Sequence, residues 1–175
     1  MDKLKIINLN IFQDKRGWFL QSYDRKIFLE CGFEIKQENI SLSHNNVFRG
    51  LHYQWEEPMS KVVQVLNGEI IDYVVDIRKG SPTYGILQKF HLKQPSELLL
   101  VPAGYAHGFL SKNDNTIVKY FCSCFYNSKA ESSINFSSFL TFNKNSVILS
   151  ERDEKAPTFS EYDKNPSFTY EEEIL

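Results

Sequence analysis

The chain has 175 residues, 42% of them apolar, and a formal net charge of −2. That length suits one domain with a sizeable core, the apolar share excludes a disordered tail, and the near-balanced charge excludes a general attraction to nucleic acid or anionic membranes. An anionic ligand must therefore be met by a few local cations. No apolar run approaches the ~18 residues of a membrane span, and the opening MDKLKIINLNIFQDKRG lacks the apolar region of a signal peptide. The expectation is a cytoplasmic protein with neither nucleic-acid nor membrane partners. Three cysteines, Cys31, Cys122 and Cys124, fit a reducing compartment and make a poor disulfide framework. Cys122 and Cys124 read as small core or surface residues rather than metal ligands.

In chain order, residues 4–11 (LKIINLNI) form the first expected strand. A helix is expected at 24–31 (DRKIFLEC), with Asp24 as its cap and Gly32 as its stop. Strands follow at 35–41 and 48–54. The runs 61–66 (KVVQVL) and 69–77 (EIIDYVVDI) flank Asn67-Gly68, a strong hairpin signal. Further strands are expected at 86–92, 97–101, 107–111 and 116–126 (TIVKYFCSCFY), separated by the turn-rich RKGSPTYG and PAGYAHG. Many short strands at close spacing argue for an all-β sandwich or barrel. The tail from 140 to 175 is less regular, and ERDEKAP at 151–157 reads as a turn or short helix packed against the barrel. With no repeat or linker, the reading is a single domain over 1–175, its barrel core at about 35–128 and an extension from about 140.

Four stretches could carry chemistry. In RGLHYQ, strict alternation puts Gly50, His52 and Gln54 on one strand face and Arg49, Leu51 and Tyr53 on the other. A face of Gly, His and Gln resembles a cavity wall, although a satisfied structural histidine is the plainer reading. Lys61 and Asp72 are placed to meet across the expected hairpin: a weak pair at the surface, a functional one inside, where burying charge is costly. His107 follows a Pro-x-Gly turn, which is half of the cupin metal motif. The other half would need a second histidine, and the chain offers His52 followed by Gln54, so His107 reads as a polar pocket residue and no metal is expected. Tyr126, read as the end of the 116–126 strand on the face of Tyr120, Cys122 and Cys124, and Asp153, in a charged turn, carry no signal alone.

Together, DKRGWF (14–19), QENISLS (37–43), RGLHYQ (49–54), KVVQVLNGEIIDYVVDIRKGSPTYG (61–85), VPAGYAHGF (101–109), YFCSCFYNSKAE (120–131) and LSERDEKAP (149–157) resemble the dTDP-4-dehydrorhamnose 3,5-epimerase family of cupins. The resemblance implies a jelly-roll barrel, a double-stranded β-helix with a few short helices, acting without metal or cofactor. It also implies a homodimer and a nucleoside diphosphate 4-keto-6-deoxy sugar as substrate, inverted at C3 and C5. By position, His52 matches the family's base and Asp153 the aspartate that orients it. Lys61 matches the residue that stabilises the enolate oxygen, and Tyr126 the acid that returns a proton from the other face. Asp72 falls at a supporting acidic position. Arg16, Gln37, Asn39, Arg49 and His107 match substrate contacts, arginine being suited to the diphosphate.

Departures from the family pattern bear on the substrate. Gln21 stands where an acidic residue is common and Trp18 where a smaller aromatic is common. Ile86-Leu87 and NFSS at 135–138 replace tryptophan-bearing segments, and WEEPMS after RGLHYQ is more acidic than usual. A GDP-linked 4-keto hexose or heptose therefore stands beside the dTDP-hexose, and C3-only inversion beside double inversion. A metal-dependent cupin enzyme and a non-catalytic sugar-nucleotide binder are the readings from other classes. One tension is left: alternation turns Arg49 away from His52, although the family uses both at the ligand. A bulge, a bend at residue 49 or residues lent by a second subunit could reconcile them.

Overall fold

The computed structural model describes residues 3–142 and 146–171. Residues 1–2, 143–145 and 172–175, at the ends and within the tail of the expected domain, lie outside the described residues. The N-terminal region holds β1 (Lys5–Asn8), the hairpin β2 (Ile11–Asp14) and β3 (Gly17–Leu20), and α1 (Arg25–Glu30). The sandwich strands are β4 (Gln37–Ser43), β5 (Phe48–Gln54), β6 (Lys61–Asn67), β7 (Ile70–Asp76), β9 (Leu87–Leu92), β10 (Glu97–Val101), β11 (Tyr105–Ser111), β12 (Thr116–Cys122) and β13 (Glu131–Ser133), with a short β8 (Arg78–Lys79). The extension adds α2 (Glu151–Glu154), α3 (Phe159–Tyr162) and β14 (Phe168–Thr169). Asp24 caps α1 by accepting from Lys26 N, and Gly32 N closes the end on Leu29 O. Among the described residues no helix is long and apolar enough to cross a membrane.

Two five-stranded antiparallel sheets face each other, ordered β1-β10-β6-β12-β4 and β13-β5-β11-β7-β9. This is the cupin-type sandwich. Period-2 alternation divides its side chains among three cores. Val63, Val65, Ile70, Val74, Leu99, Phe109 and Val118 fill the space between the sheets. Val62, Leu98, Leu100 and Phe121 point outward from the first sheet to meet Phe28 of α1 and Phe33. Leu51, Tyr53, Tyr73, Val75 and Leu110 point outward from the second sheet to meet Ile134 and Phe136, which follow β13, and Tyr162 of the extension. Each central strand is thus covered on both faces, which is why KVVQVL, IIDYVV and ELLLV read as continuous apolar runs.

Three sequence expectations change. The Asn67-Gly68 turn forms, with Gly68 at φ 78°, but it is not a hairpin: β6 pairs with β10 and β12, and β7 with β11 and β9. A tight turn serves equally well at a corner where the chain switches sheets, and both flanking runs need cover on two faces. Lys61 and Asp72 consequently belong to opposing sheets and are not ladder neighbours. The strand expected over 116–126 stops at Cys122, so Tyr126 lies in the segment beyond it.

The third change resolves the Arg49 tension. In the β5–β11 ladder, His52 pairs with His107 and Arg49 with Phe109. Gly50 and Leu51 therefore stand opposite the single residue Gly108, a β-bulge that resets the alternation. Arg49 and His52 end on the inner face, whereas Phe48, Leu51 and Tyr53 point outward. Gly50 has φ 126°, the Gly50–Leu51 peptide is cis, and a Cβ there would lie 2.5 Å from Gly108 Cα.

Candidate active site

A cavity of about 280 Å³ opens between the sheets. β5 contributes Arg49 and His52, β11 contributes His107 and Phe109, and β4 contributes Asn39 and Ser41. β6 and β12 contribute Lys61, Tyr120 and Cys122, and Met59, Tyr126 and Glu131 complete the rim. Arg49 and His52 also line an adjoining cavity of about 400 Å³, which receives Arg152 and Asp153 of α2.

His52 Nε2 and Asp153 Oδ1 are 2.6 Å apart, and Asp153 is buried. Burial alone would raise the Asp153 pKa. Hydrogen bonding with the His52 side chain and its charge, then hydrogen bonds with Gly50 N and the Ser150 side chain, outweigh it and hold the carboxyl below its ordinary range. An ionised Asp153 can only accept, so neutral His52 carries its proton on Nε2 and keeps the Nδ1 lone pair free to act as a base.

His107 Nε2 lies 2.8 Å from Asp72 Oδ2. Asp72 is fully buried behind His107, and among the described residues its Oδ1 has no hydrogen-bond partner. Burial raises the Asp72 pKa, opposed by His107 and Lys61. Lys61 is desolvated, which lowers its pKa, with Cys122, Glu131 and Asp72 acting against that. Among the described residues nothing accepts a hydrogen bond from Lys61 Nζ. A buried-side ammonium without an acceptor is ready to meet an oxygen brought by a ligand.

The Tyr126 hydroxyl donates to Glu131 Oε2 at 2.9 Å. That bond, followed by burial, raises the tyrosine pKa and keeps its proton in place. The structure brings His52, Lys61, Tyr126, Asn39, Arg49 and His107 to one cavity, with Asp153 and Asp72 directly behind the two histidines. Gln37 stands one step out: its Nε2 donates to Asn39 Oδ1, and its Oε1 accepts from Tyr126 N. Arg16 is not among the lining residues. It sits at the exposed turn of the β2–β3 hairpin, paired with Asp14.

Sequence reasoning passed over Ser41, Met59, Glu131 and Arg152. Ser41 was readable, since it alternates with Asn39 along β4. Glu131 was not, because its meaning depends on Tyr126 being close in space. Among the described residues no group of three or more His, Cys, Asp or Glu side chains could hold a metal.

A family model described as dTDP-4-dehydrorhamnose 3,5-epimerase matches residues 1–161. An enzyme of that name from Methanothermobacter thermautotrophicus is 40% identical over 137 residues, 77% of this chain and 74% of its own. The crystal structure of a dTDP-6-deoxy-D-glucose-3,5-epimerase from Legionella pneumophila, in complex with dTDP-4-keto-L-rhamnose, superposes with a TM-score of 0.90 at 33% identity. The match covers 98% of this chain and 96% of that one. A 3′-monoepimerase from Streptomyces bikiniensis in complex with dTDP-quinovose gives 0.87 at 27% identity, over 95% and 88%. With its sandwich, its cavity and these relatives in agreement, the chain belongs to the dTDP-4-dehydrorhamnose 3,5-epimerase family and is an epimerase of nucleotide-linked 4-keto-6-deoxy sugars.

Proposed function

We propose that this chain inverts C3 and C5 of a dTDP-linked 4-keto-6-deoxyhexose, with His52 as base, Lys61 at the enolate oxygen and Tyr126 as acid. The observation that carries the assignment is the presence of these three groups around one cavity, His52 from one sheet, Lys61 from the other and Tyr126 from the segment beyond β12. A proton beside the C4 ketone is acidic because its removal delocalises charge onto oxygen. His52 Nδ1 takes the proton as the C–H bond breaks, and the electron pair moves to the C4 oxygen beside the Lys61 ammonium. Tyr126 then delivers its proton to the opposite face. His52 returns its proton to water, the phenolate regains one, and the net change is configuration alone. Asp153 holds the tautomer and supports the imidazolium. Arg49 is assigned to the diphosphate, with Asn39 and His107 as further substrate contacts and Asp72 supporting His107.

The substrate assignment rests on the relatives, since the Methanothermobacter enzyme is named for dTDP-4-dehydrorhamnose and the Legionella structure holds dTDP-4-keto-L-rhamnose. Inversion at C3 alone is the second reading, favoured by the likeness to a 3′-monoepimerase. We also infer a homodimer. Phe12, Trp18 and Phe19 are exposed on the β2–β3 hairpin, and Ile40 and Leu42 on edge strand β4, an apolar surface and open edge that a second copy would cover. In such a dimer Arg16 would serve the partner's cavity, which accounts for its absence from its own. The test is deuterium uptake from D2O into dTDP-4-keto-6-deoxyglucose. Uptake and inversion at C3 and C5 are expected, and His52→Ala abolishes both while the protein stays folded. Uptake at C3 alone selects the second reading, and no uptake into this or any GDP-linked counterpart sinks the assignment.

A further inference from the structure

Arg49 has a long, flexible side chain and is exposed, so packing does little to fix its guanidinium. Two hydrogen bonds fix it instead. Nε donates to Ser43 Oγ at 3.0 Å, and Nη2 donates to Leu42 O at 3.1 Å. Arg49 lies on β5 and both acceptors lie on β4, so the bonds cross from one sheet to the other. The crossing depends on the β5 bulge, which turns Arg49 inward. Ser43 itself is buried, at 2% exposure. Along β4 it follows Asn39 and Ser41 at period 2, and those two line the cavity with Arg49.

Which atoms are held decides what is left for a ligand. A guanidinium has five N–H donors in a rigid fork. The Nε–H and one Nη2–H form its side edge, and that edge is docked on β4. The Nη1 hydrogens and the second Nη2 hydrogen form its end, and among the described residues nothing accepts from Nη1. Both acceptors are neutral. Arg16, Arg78 and Arg152 are each paired with a carboxylate, whereas among the described residues Arg49 has none within ion-pair distance. Its charge is uncompensated, and the free end of the fork matches two oxygens of a phosphate.

We propose that Ser43 is the positioning residue for Arg49, docking the side edge of the guanidinium on β4 so that its free end meets the diphosphate of the substrate. The proposal rests on the assignment of Arg49 to the diphosphate made above. Without the hydroxyl, Arg49 keeps only Leu42 O, and the ligand must order the fork against side-chain entropy. The loss falls on binding rather than on proton transfer, because His52 is held separately, by Asp153.

The experiment measures affinity for dTDP, or for GDP where that binds more tightly, by titration calorimetry, together with KM and kcat for the 4-keto sugar nucleotide. Ser43→Ala should weaken nucleotide binding and raise KM about tenfold, the scale of one hydrogen bond to a charged group, with kcat little changed. The same change made on Arg49→Ala should have no further effect on affinity, since Ser43 acts only through the guanidinium. Unchanged affinity in Ser43→Ala overturns the proposal, as does a loss that falls on kcat with KM unchanged. An equal loss in the Arg49→Ala background also overturns it, because a merely structural serine would act in both backgrounds alike. Arg49→Ala alone separates the two levels. If it binds the nucleotide as wild type does, or if wild type binds neither nucleotide, the diphosphate assignment fails and takes the Ser43 role with it. If Arg49→Ala weakens binding and Ser43→Ala does not, the Ser43 proposal alone fails.

Discussion

The two carboxylates behind the histidines, Asp153 and Asp72, show how neighbours give one functional group opposite behaviour. Asp153 gains several donors and is held below the ordinary 3.8, despite burial. Asp72 is dominated by burial, has one oxygen without a partner among the described residues and is held above 3.8. The linkage signs follow. Asp153 contributes stability that is fully present above the unfolded pKa and is lost as pH falls through the lower folded value. Asp72 contributes stability that is present below the unfolded pKa and is lost as pH rises through the higher folded value. Unfolding free energies of wild type, Asp153→Asn and Asp72→Asn, measured between about pH 3 and 5, across the ordinary carboxylate range, should therefore diverge. The wild-type advantage over Asp153→Asn shrinks as pH falls, and that over Asp72→Asn grows. Differences that move in the same direction would contradict the assignment. Neither behaviour is visible in the sequence, where both residues are aspartates in unremarkable contexts.

At the scale of elements, the bulge in β5 decides whether Arg49 and His52 serve one ligand. Two glycines make it possible, for different reasons. Gly50 needs its φ of 126°, and Gly108 lies so close that a Cβ on it would come within 2.5 Å of Arg49 O. Gly50→Ala would add a backbone clash to a strained torsion, at a cost of about 3 kcal/mol or more. Chemical denaturation should show that loss or an unfolded chain, and a loss below about 1 kcal/mol, within the range of an ordinary Gly-to-Ala change, would mean that the bulge can relax. Strand positions were legible here because alternation and β-branched runs depend on local sequence. The bulge was only one of three options the sequence left open, since it exists only as a mismatch between two strands. The Asn67-Gly68 corner misled for a related reason: the turn is local, whereas the partners of β6 and β7 are not.

For the whole molecule, the exposed apolar hairpin and edge strand β4 carry the prediction of assembly. Light scattering should give twice the 20.4 kDa chain mass. A Phe12→Ser, Phe19→Ser double variant should shift toward the single-chain mass and lose activity, if Arg16 serves a neighbour's cavity. A wild-type chain that is monomeric at assay concentration would end that reading. The sequence by itself determined the all-β class, most of the strands though not β3 or β13, the cap and stop of α1, and, through its resemblance to a family, the residues to look for. These are properties of short windows, where side-chain period and turn chemistry act within a few residues. Only the tertiary structure decided that β6 and β7 part into different sheets, that Arg49 and His52 share a face, and that Asp72 lies behind His107. Each of those depends on contacts between residues far apart in the chain, and such contacts are fixed by which surfaces the packed sheets bury together.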